Sequence, residues 1–306
     1  MITEEFNFPS KDGKTTIHAI KWMNDEKQYR AILQVTHGMI EYIERYTAFA
    51  EFLTGHDFLV VGHDHLGHGE SITSAADYGY FAEVRHPSDI LVDDMHTLRT
   101  MIQKEKEGVP YFMFAHSMGS YLLRKYLTKY PKKLSGAILC GTGYLHWTTT
   151  TMGLMVVRAC QAIKGAHFRS PRITKMTYGA SYRKFDMTGQ DLTNSWLTRD
   201  TEMVAFYGKD PKCRYLFTVN GYQGLIETVK FDCKQKNVDL IPNELPIMLV
   251  SGEDDPVGDL GKGVRKVYCM FQKSKKEDVT CKLYPKMRHE IINEIGKEEV
   301  YQDILN

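Results

Sequence analysis

The sequence predicts an α/β protein: a mostly parallel central sheet flanked by helices, with a helical cap inserted after the sixth strand. Two observations carry this. Short apolar runs alternate with segments whose apolar residues recur at helical spacing, as expected of strands buried on both faces between helices. The alternation then breaks at about Gly141 and resumes at Pro246-Ile247. The reading divides the chain into a core of residues 1–141 and 244–306 and an insert of residues 142–243.

Taken in order, Glu4–Phe8 and Thr15–Trp22 flank a polar turn, Pro9 to Lys14, and predict an antiparallel hairpin. Ala31–Val35 is a third strand, running into Thr36-His37-Gly38-Met39. Tyr46, Ala48, Phe49, Phe52 and Leu53 predict a helix that Gly55 ends. Phe58–Val61 is a fourth strand, opening into a Gly/His-rich loop, Gly62 to Ser71. Ser88 is placed to cap a helix with Leu91, Met95, Leu98 and Ile102 on one side. The strands Tyr111–Phe114 and Gly136–Cys140 follow, separated by a helix from Met118 to Tyr130. In the insert, Met152, Met155, Val156, Ala159, Cys160 and Ile163 share one helical face. The pattern resumes with a strand at Pro246–Ser251, a helix near Gly263–Phe271, a strand at Val279–Leu283 and a helix to Ile304.

Composition narrows the class of function. With 306 residues, 25% charged and 42% hydrophobic, the chain has the make-up of a large globular domain. A formal net charge of +1 gives no reason to expect a nucleic-acid partner. The polar, acidic start and the lack of a long apolar run predict neither a secretory signal nor a membrane span. The six cysteines are far apart with no C-x-x-C pair, and read as buried, reduced thiols of a cytoplasmic protein.

The chemistry is expected at the carboxyl edge of the sheet, where every strand–helix loop of a parallel sheet opens. There Ala115-His116-Ser117-Met118-Gly119 forms a strand, a sharp turn and a helix, the context of a nucleophile elbow. Small neighbours let the Ser117 hydroxyl project, and the helix start leaves backbone N–H groups free to face a developing anion. The string is too common by chance to stand alone. Its partners come from two later loops on the same edge: Gly252-Glu253-Asp254-Asp255-Pro256-Val257 and Tyr284 to Glu290, which contains His289. A hydroxyl needs a base to attack at neutral pH, and an imidazole serves, oriented by a carboxylate. Serine, aspartate, histidine is the chain order expected on this architecture. Asp254 and Asp255 both stand where the acid belongs.

His37-Gly38-Met39-Ile40-Glu41, Arg45-Tyr46, the Asp64–Ser71 loop, Ala115–Gly119, Asp255-Pro256-Val257 and Arg288-His289-Glu290 recur in register. Together they resemble the monoacylglycerol lipase and lysophospholipase group of the α/β-hydrolase superfamily, from about residue 5 to 305 and least in the insert. The resemblance implies an α/β-hydrolase fold with Ser117 as nucleophile, His289 as general base and acid, and Asp255 as the orienting acid. It implies an oxyanion hole from the backbone N–H groups of Met39 and Met118, supported by His37, Gly38, His116 and Gly119. Two positions depart from the pattern: Ala115 where glycine is usual, and Tyr42 where histidine is frequent.

The implied activity is cleavage of carboxylic esters, with acyl-chain lipids such as monoacylglycerol or lysophospholipid as small-molecule substrates and no cofactor. A peptidase or amidase of the same fold and a non-catalytic ligand-binding hydrolase fold are the alternatives. His37, His63, His65 and His68 invite a metal reading, but the loop type has them holding turns, and no metal is expected. Cys140 has no base beside it, and Gly67-x-Gly69 lacks the third glycine of a dinucleotide fingerprint. Lys164, His167, Arg169, Arg172 and Lys175 follow the insert's apolar helix and form a solvated surface or, with Trp147, Met152 and Met155, a peripheral contact with a membrane or micelle.

Overall fold

The computed structural model describes residues 1–25 and 28–306. Eight strands form one sheet: β1 (Ile2–Pro9), β2 (Thr16–Met23), β3 (Ala31–Thr36), β4 (Phe58–His63), β5 (Tyr111–His116), β6 (Gly136–Cys140), β7 (Ile247–Gly252) and β8 (Val279–Tyr284). Their spatial order is β1-β2-β4-β3-β5-β6-β7-β8. The β1–β2 hairpin and the β2–β4 pair are antiparallel, and every pairing from β4 across to β8 is parallel.

Strand alternation divides the apolar residues between two cores. Ile32, Val61, Met113 and Leu249 pack on one face, with α2 (Ser88–Glu105), α3 (Met118–Lys129) and α9 (Lys262–Lys273). Leu33, Val60, Phe114 and Val250, one residue along, pack on the other, with α1 (Thr47–Thr54) and α10 (Lys297–Leu305). All six parallel strands therefore end their runs on one edge, and the loops after β3, β4, β5, β7 and β8 share it.

Between β6 and β7 the described residues hold helices and turns: α4 (Trp147–Lys164), α5 (Pro171–Thr177), α6 (Thr201–Lys209), α7 (Val219–Asp232) and α8 (Gln235–Val238). Helix α7 is fastened to the core. Thr218 Oγ1 donates to Gly79 O at 2.6 Å, and the Asn220 side chain bonds Phe81 N and Ala82 O at 3.0 and 2.8 Å. Gly221 is needed there, because a Cβ would collide with the Gly79 carbonyl. Helix α4 packs on α7 through Thr150, Gly153, Leu154 and Val157, with Gly153 facing Ile226.

The apolar stripe that identifies α4 is left exposed at Met152, Met155, Val156 and Ile163, because the smaller opposite face fits against α7. Two expectations are corrected. Ser88 does not cap α2; it is the first helical residue, buried, and accepts from Lys125 Nζ at 2.9 Å. The cysteines are all free, but Cys269 is exposed, on the face of α9 turned away from buried Val264, Val267 and Phe271.

Candidate active site

Ser117 closes β5 and opens α3 with φ 52° and ψ −119°, a conformation that costs a non-glycine residue energy and persists only where its surroundings enforce it. Three contacts do so. Ser117 N–H donates to Cys140 O of the neighbouring strand at 2.9 Å. Ala115 stays in the ladder, opposite Thr36 and Leu139, so a methyl group in place of the usual hydrogen is absorbed within regular strand and the turn falls on Ser117. Gly119 lies against the loop after β3, where a Cβ would come within 2.6 Å of His37 O.

His289, in the loop after β8, brings Nε2 to 2.8 Å from Ser117 Oγ and Nδ1 to 3.0 Å from Asp255 Oδ1. Asp255 is fully buried, and its other interactions are a donated bond from Val257 N at 2.8 Å and one from Ser251 Oγ at 3.0 Å. Burial opposes its ionisation, but the imidazole and these donors outweigh burial and hold the carboxyl below its ordinary value. With Asp255 anionic, Nδ1 carries the ring proton and Nε2 is left to accept the Ser117 proton. Asp254 is placed elsewhere: it is part-exposed and pairs with Lys184 at 2.6 Å.

The loop after β3 abuts the elbow. A Cβ on Gly38 would lie 3.0 Å from Ser117 Cβ, so only glycine permits that approach. Met39 follows, and Met118 N–H sits in the first turn of α3, where no intrahelical acceptor exists. Ile40, a β-branched residue, holds φ 58°, a second strained position in the same place. His37 Nδ1 donates to Gly38 O at 2.8 Å while its Nε2 accepts from His65 N at 2.8 Å, joining the loops after β3 and β4.

A buried charge cluster, carried in the sequence only as fragments of motifs, ties these loops together. Arg45 makes a bidentate pair with Glu290 at 2.9 and 2.7 Å and reaches Glu41 at 2.9 Å. Glu41 also takes His116 Nδ1 at 3.0 Å and the Gly38 N–H. Thus the residue before Ser117, the residue after His289 and the loop after β3 share one ion network. Burial alone would neutralise each group, yet His116 holds Glu41 well below the usual carboxylate range, and Arg45 does the same for Glu290. Burial likewise works against a charged His116, but Glu41 raises its pKa. The sequence signals were the i, i+4 spacing of Glu41 and Arg45 and the position of Glu290 beside His289.

A second buried set behaves differently. His63, His65 and His68 surround His37, with ring centroids 4.4 Å apart for His37–His65 and 5.2 Å for His37–His68. Burial drives their pKa values down, to about 3 for His63 and His68, so all stay neutral. Asp64 in the same loop accepts from Ile43 N at 2.7 Å and Glu70 N at 2.9 Å and pairs with His18 at 2.9 Å, holding the turn. Among the described residues, no group of three or more His, Cys, Asp or Glu side chains is arranged to hold a metal ion.

The segment between β6 and β7 reaches the site on both sides. Tyr42 OH, in the loop after β3, donates to Asp210 at 2.6 Å. Trp196 lies against His289 with ring centroids 5.2 Å apart. Nothing in the sequence pattern marked Trp196, because its segment has neither helical nor strand periodicity.

Comparison with known proteins places this geometry in context. Residues 27–296 match the model of the serine aminopeptidase family, Hydrolase_4. The chain is 28% identical over 279 residues to monoglyceride lipase of Mus musculus, covering 90% of this chain and 80% of that one. It is 24% identical over 300 residues to a monoacylglycerol lipase of Mycolicibacterium smegmatis, covering 98% and 95%. The crystal structure of a thermostable carboxyl esterase from Bacillus coagulans, in complex with glycerol, superposes with a TM-score of 0.90 at 27% identity, over 100% of this chain and 97% of that one.

Proposed function

The chain belongs to the serine aminopeptidase (Hydrolase_4) family and has the α/β-hydrolase fold of the monoacylglycerol lipase-like proteins, and from that premise we propose that it hydrolyses carboxylic esters of acyl-chain lipids. The observation that carries the proposal is the hydrogen-bonded line from Ser117 through His289 to Asp255, held at a strained elbow. In this reading Ser117 Oγ attacks the ester carbonyl carbon while His289 Nε2 takes its proton. The carbonyl oxygen becomes an oxyanion facing the Met39 and Met118 N–H groups, an interaction worth about 3 kcal/mol per donor. Collapse expels the alcohol, which leaves with the proton from His289. Water, deprotonated by the same imidazole, then attacks the acyl-enzyme, releasing the carboxylic acid and restoring Ser117.

The family name favours a second reading, an aminopeptidase. Such an enzyme needs a carboxylate free to take an α-ammonium group. The buried carboxylates of these loops, Glu41, Glu290 and Asp255, are committed to Arg45, His116 and His289, which supports esters. Monoacylglycerol and lysophospholipid remain the candidate lipids.

Residues 142–243 would serve as a cap that meets the lipid surface. Trp147 is 63% exposed, Met152 67% and Ile163 77%, an apolar patch on α4 and its start. Lys164, Arg172 and Lys175 are exposed beside it, whereas Arg169 and His167 are committed to Ala76 O and Asp77. Each free cation would add about 1 kcal/mol near an anionic membrane. Among the described residues no helix is long and apolar enough to cross a membrane, and the proposed contact is a peripheral one. Flotation with phosphatidylglycerol vesicles should fall when Met152, Met155 and Ile163 become glutamate; flotation that ignores these changes ends the membrane proposal.

The activity is tested with a fluorophosphonate probe and a chain-length series of esters, run beside monoacylglycerol, lysophospholipid and a peptide amide. Wild type should label and cleave acyl esters, and Ser117→Ala should lose both, with turnover down about 10⁴-fold or more. No labelling of folded wild type would instead favour a ligand-binding module, and preference for the amide would favour the peptidase.

A further inference from the structure

The segment Thr193–Arg199 runs beside the loop that carries His289 and is bonded to it along its length. His289 N donates to Trp196 O at 3.4 Å and Glu290 N to Leu197 O at 2.8 Å. Arg288 donates to the carbonyls of Thr193, Ser195 and Thr198, and Arg199 pairs with Glu294 at 3.0 Å. The insert thereby holds the backbone of the catalytic loop from both of its ends.

At the centre of this strap is an indole. The rings of Trp196 and His289 are tilted by 34° at 5.2 Å, within the range of a cation–π contact if the imidazole is charged. Tyr182 packs against Trp196 at 5.4 Å and limits its rotation. His116 lies at 4.6 Å from His289, and Glu41 favours the charged form of His116. Gly141 lies close enough that a Cβ there would be 3.1 Å from His289 Cε1. Asp255 faces Nδ1 and Ser117 faces Nε2, while the Glu290 carboxylate turns away to Arg45. When His289 takes a proton it becomes a cation beside His116, and Trp196 is the electron-rich face available to it.

We propose that Trp196 is a positioning residue for His289, holding the imidazole in register by its backbone carbonyl and stabilising the imidazolium by its indole face. This rests on the ester-hydrolase reading for its kinetic consequence, but not for the contact itself. The insert then contributes to the proton-transfer step as well as to substrate binding.

Trp196→Leu should lower kcat by about three- to thirty-fold with KM little changed, and move the acid limb of kcat/KM down by about half a pH unit or more. Trp196→Phe should recover most of both. A loss in Trp196→Leu with no movement of the limb, or one that Phe does not recover, would reduce Trp196 to packing and overturn the inference. A second measurement needs no activity and no Leu variant. Imidazolium quenches a touching indole, so in a Trp147→Phe background, which removes the His146–Trp147 pair at 5.8 Å, fluorescence should fall as the medium is acidified, and Trp196→Phe and His289→Gln should both abolish that transition. Ser117→Ala should keep it. An unlabelled wild type with this transition intact would mean that the hydrolase reading fails alone. A Ser117-dependent enzyme whose fluorescence ignores His289 would mean that this inference fails alone.

Discussion

Two clusters of buried titratable groups lie within one loop layer, and they have opposite protonation logic. Glu41, Arg45, Glu290 and His116 are buried and charged; His37, His63, His65 and His68 are buried and neutral. Burial is the same in both, so the difference comes from partners. Each charge in the first cluster meets an opposite charge within 3.0 Å. In the second, His63 and His65 have no hydrogen-bond partner among the described residues at either ring nitrogen, and His68 Nε2 has none. A paired charge survives desolvation, whereas an unpaired imidazole stays neutral and packs as an aromatic ring. The charged cluster joins the elbow, the loop that carries His289 and the loop after β3, and the neutral one joins the loops after β3 and β4.

The comparison can be broken most easily at Arg45. Arg45→Met leaves two carboxylates buried without their cation, and urea unfolding should show a loss of about 3–5 kcal/mol. A loss below about 1 kcal/mol would mean the network is solvated and the contrast false. Acid is the next lever. His63 and His68 have folded pKa values near 3 against an unfolded value of 6.5, so the unfolded state binds more protons between these limits. Their contribution is present above about pH 6.5 and lost as pH falls, by about 1.4 kcal/mol per pH unit for each ring. The lowered carboxyls Glu41 and Asp255 act in the same direction at lower pH. His116 acts oppositely: its stabilisation is complete below pH 6.5 and fades as pH rises through its raised value. Thermal melts from pH 7 to 4 should fall steadily, and His63→Phe should flatten the slope. The smallest effect is His68→Phe, which replaces a ring whose Nδ1 bonds Leu66 O at 3.3 Å and whose Nε2 packs without a partner among the described residues, beside Phe81 and Phe217, with an apolar one. It should change stability by less than about 1 kcal/mol, or raise it; a large loss would mean that Nε2 is bound.

The sheet was readable from the chain because a strand buried on both faces needs a continuous apolar run, and β3 to β7 each have one. The elbow, the acid and the imidazole were readable because the architecture brings every strand–helix loop to one edge. Ser88 misled because a serine before an apolar stripe has the composition of a cap whether or not it occupies that position. The stripe on α4 identified the helix, as periodicity can, but could not say which side finds a partner. Trp196 was visible only as one aromatic residue of the insert, because a strap without repeat structure is defined by what it binds. Glu41, Arg45 and Glu290 were in view as letters, but their joint role depends on contacts between distant segments.

The Arg45–Glu290 pair has a further consequence, for the order in which the molecule assembles. Its partners are 245 residues apart, and Ser117 and His289 are separated by 172. A chain emerging from the ribosome can pair β1 to β6 early, yet Arg45 cannot be buried with its full complement until β8 and the loop beyond it have been added. Contacts of such separation are costly to close and form late. The ion network can therefore be complete only once the chain has reached Glu290, so nascent chains shorter than that should keep a looser loop after β3.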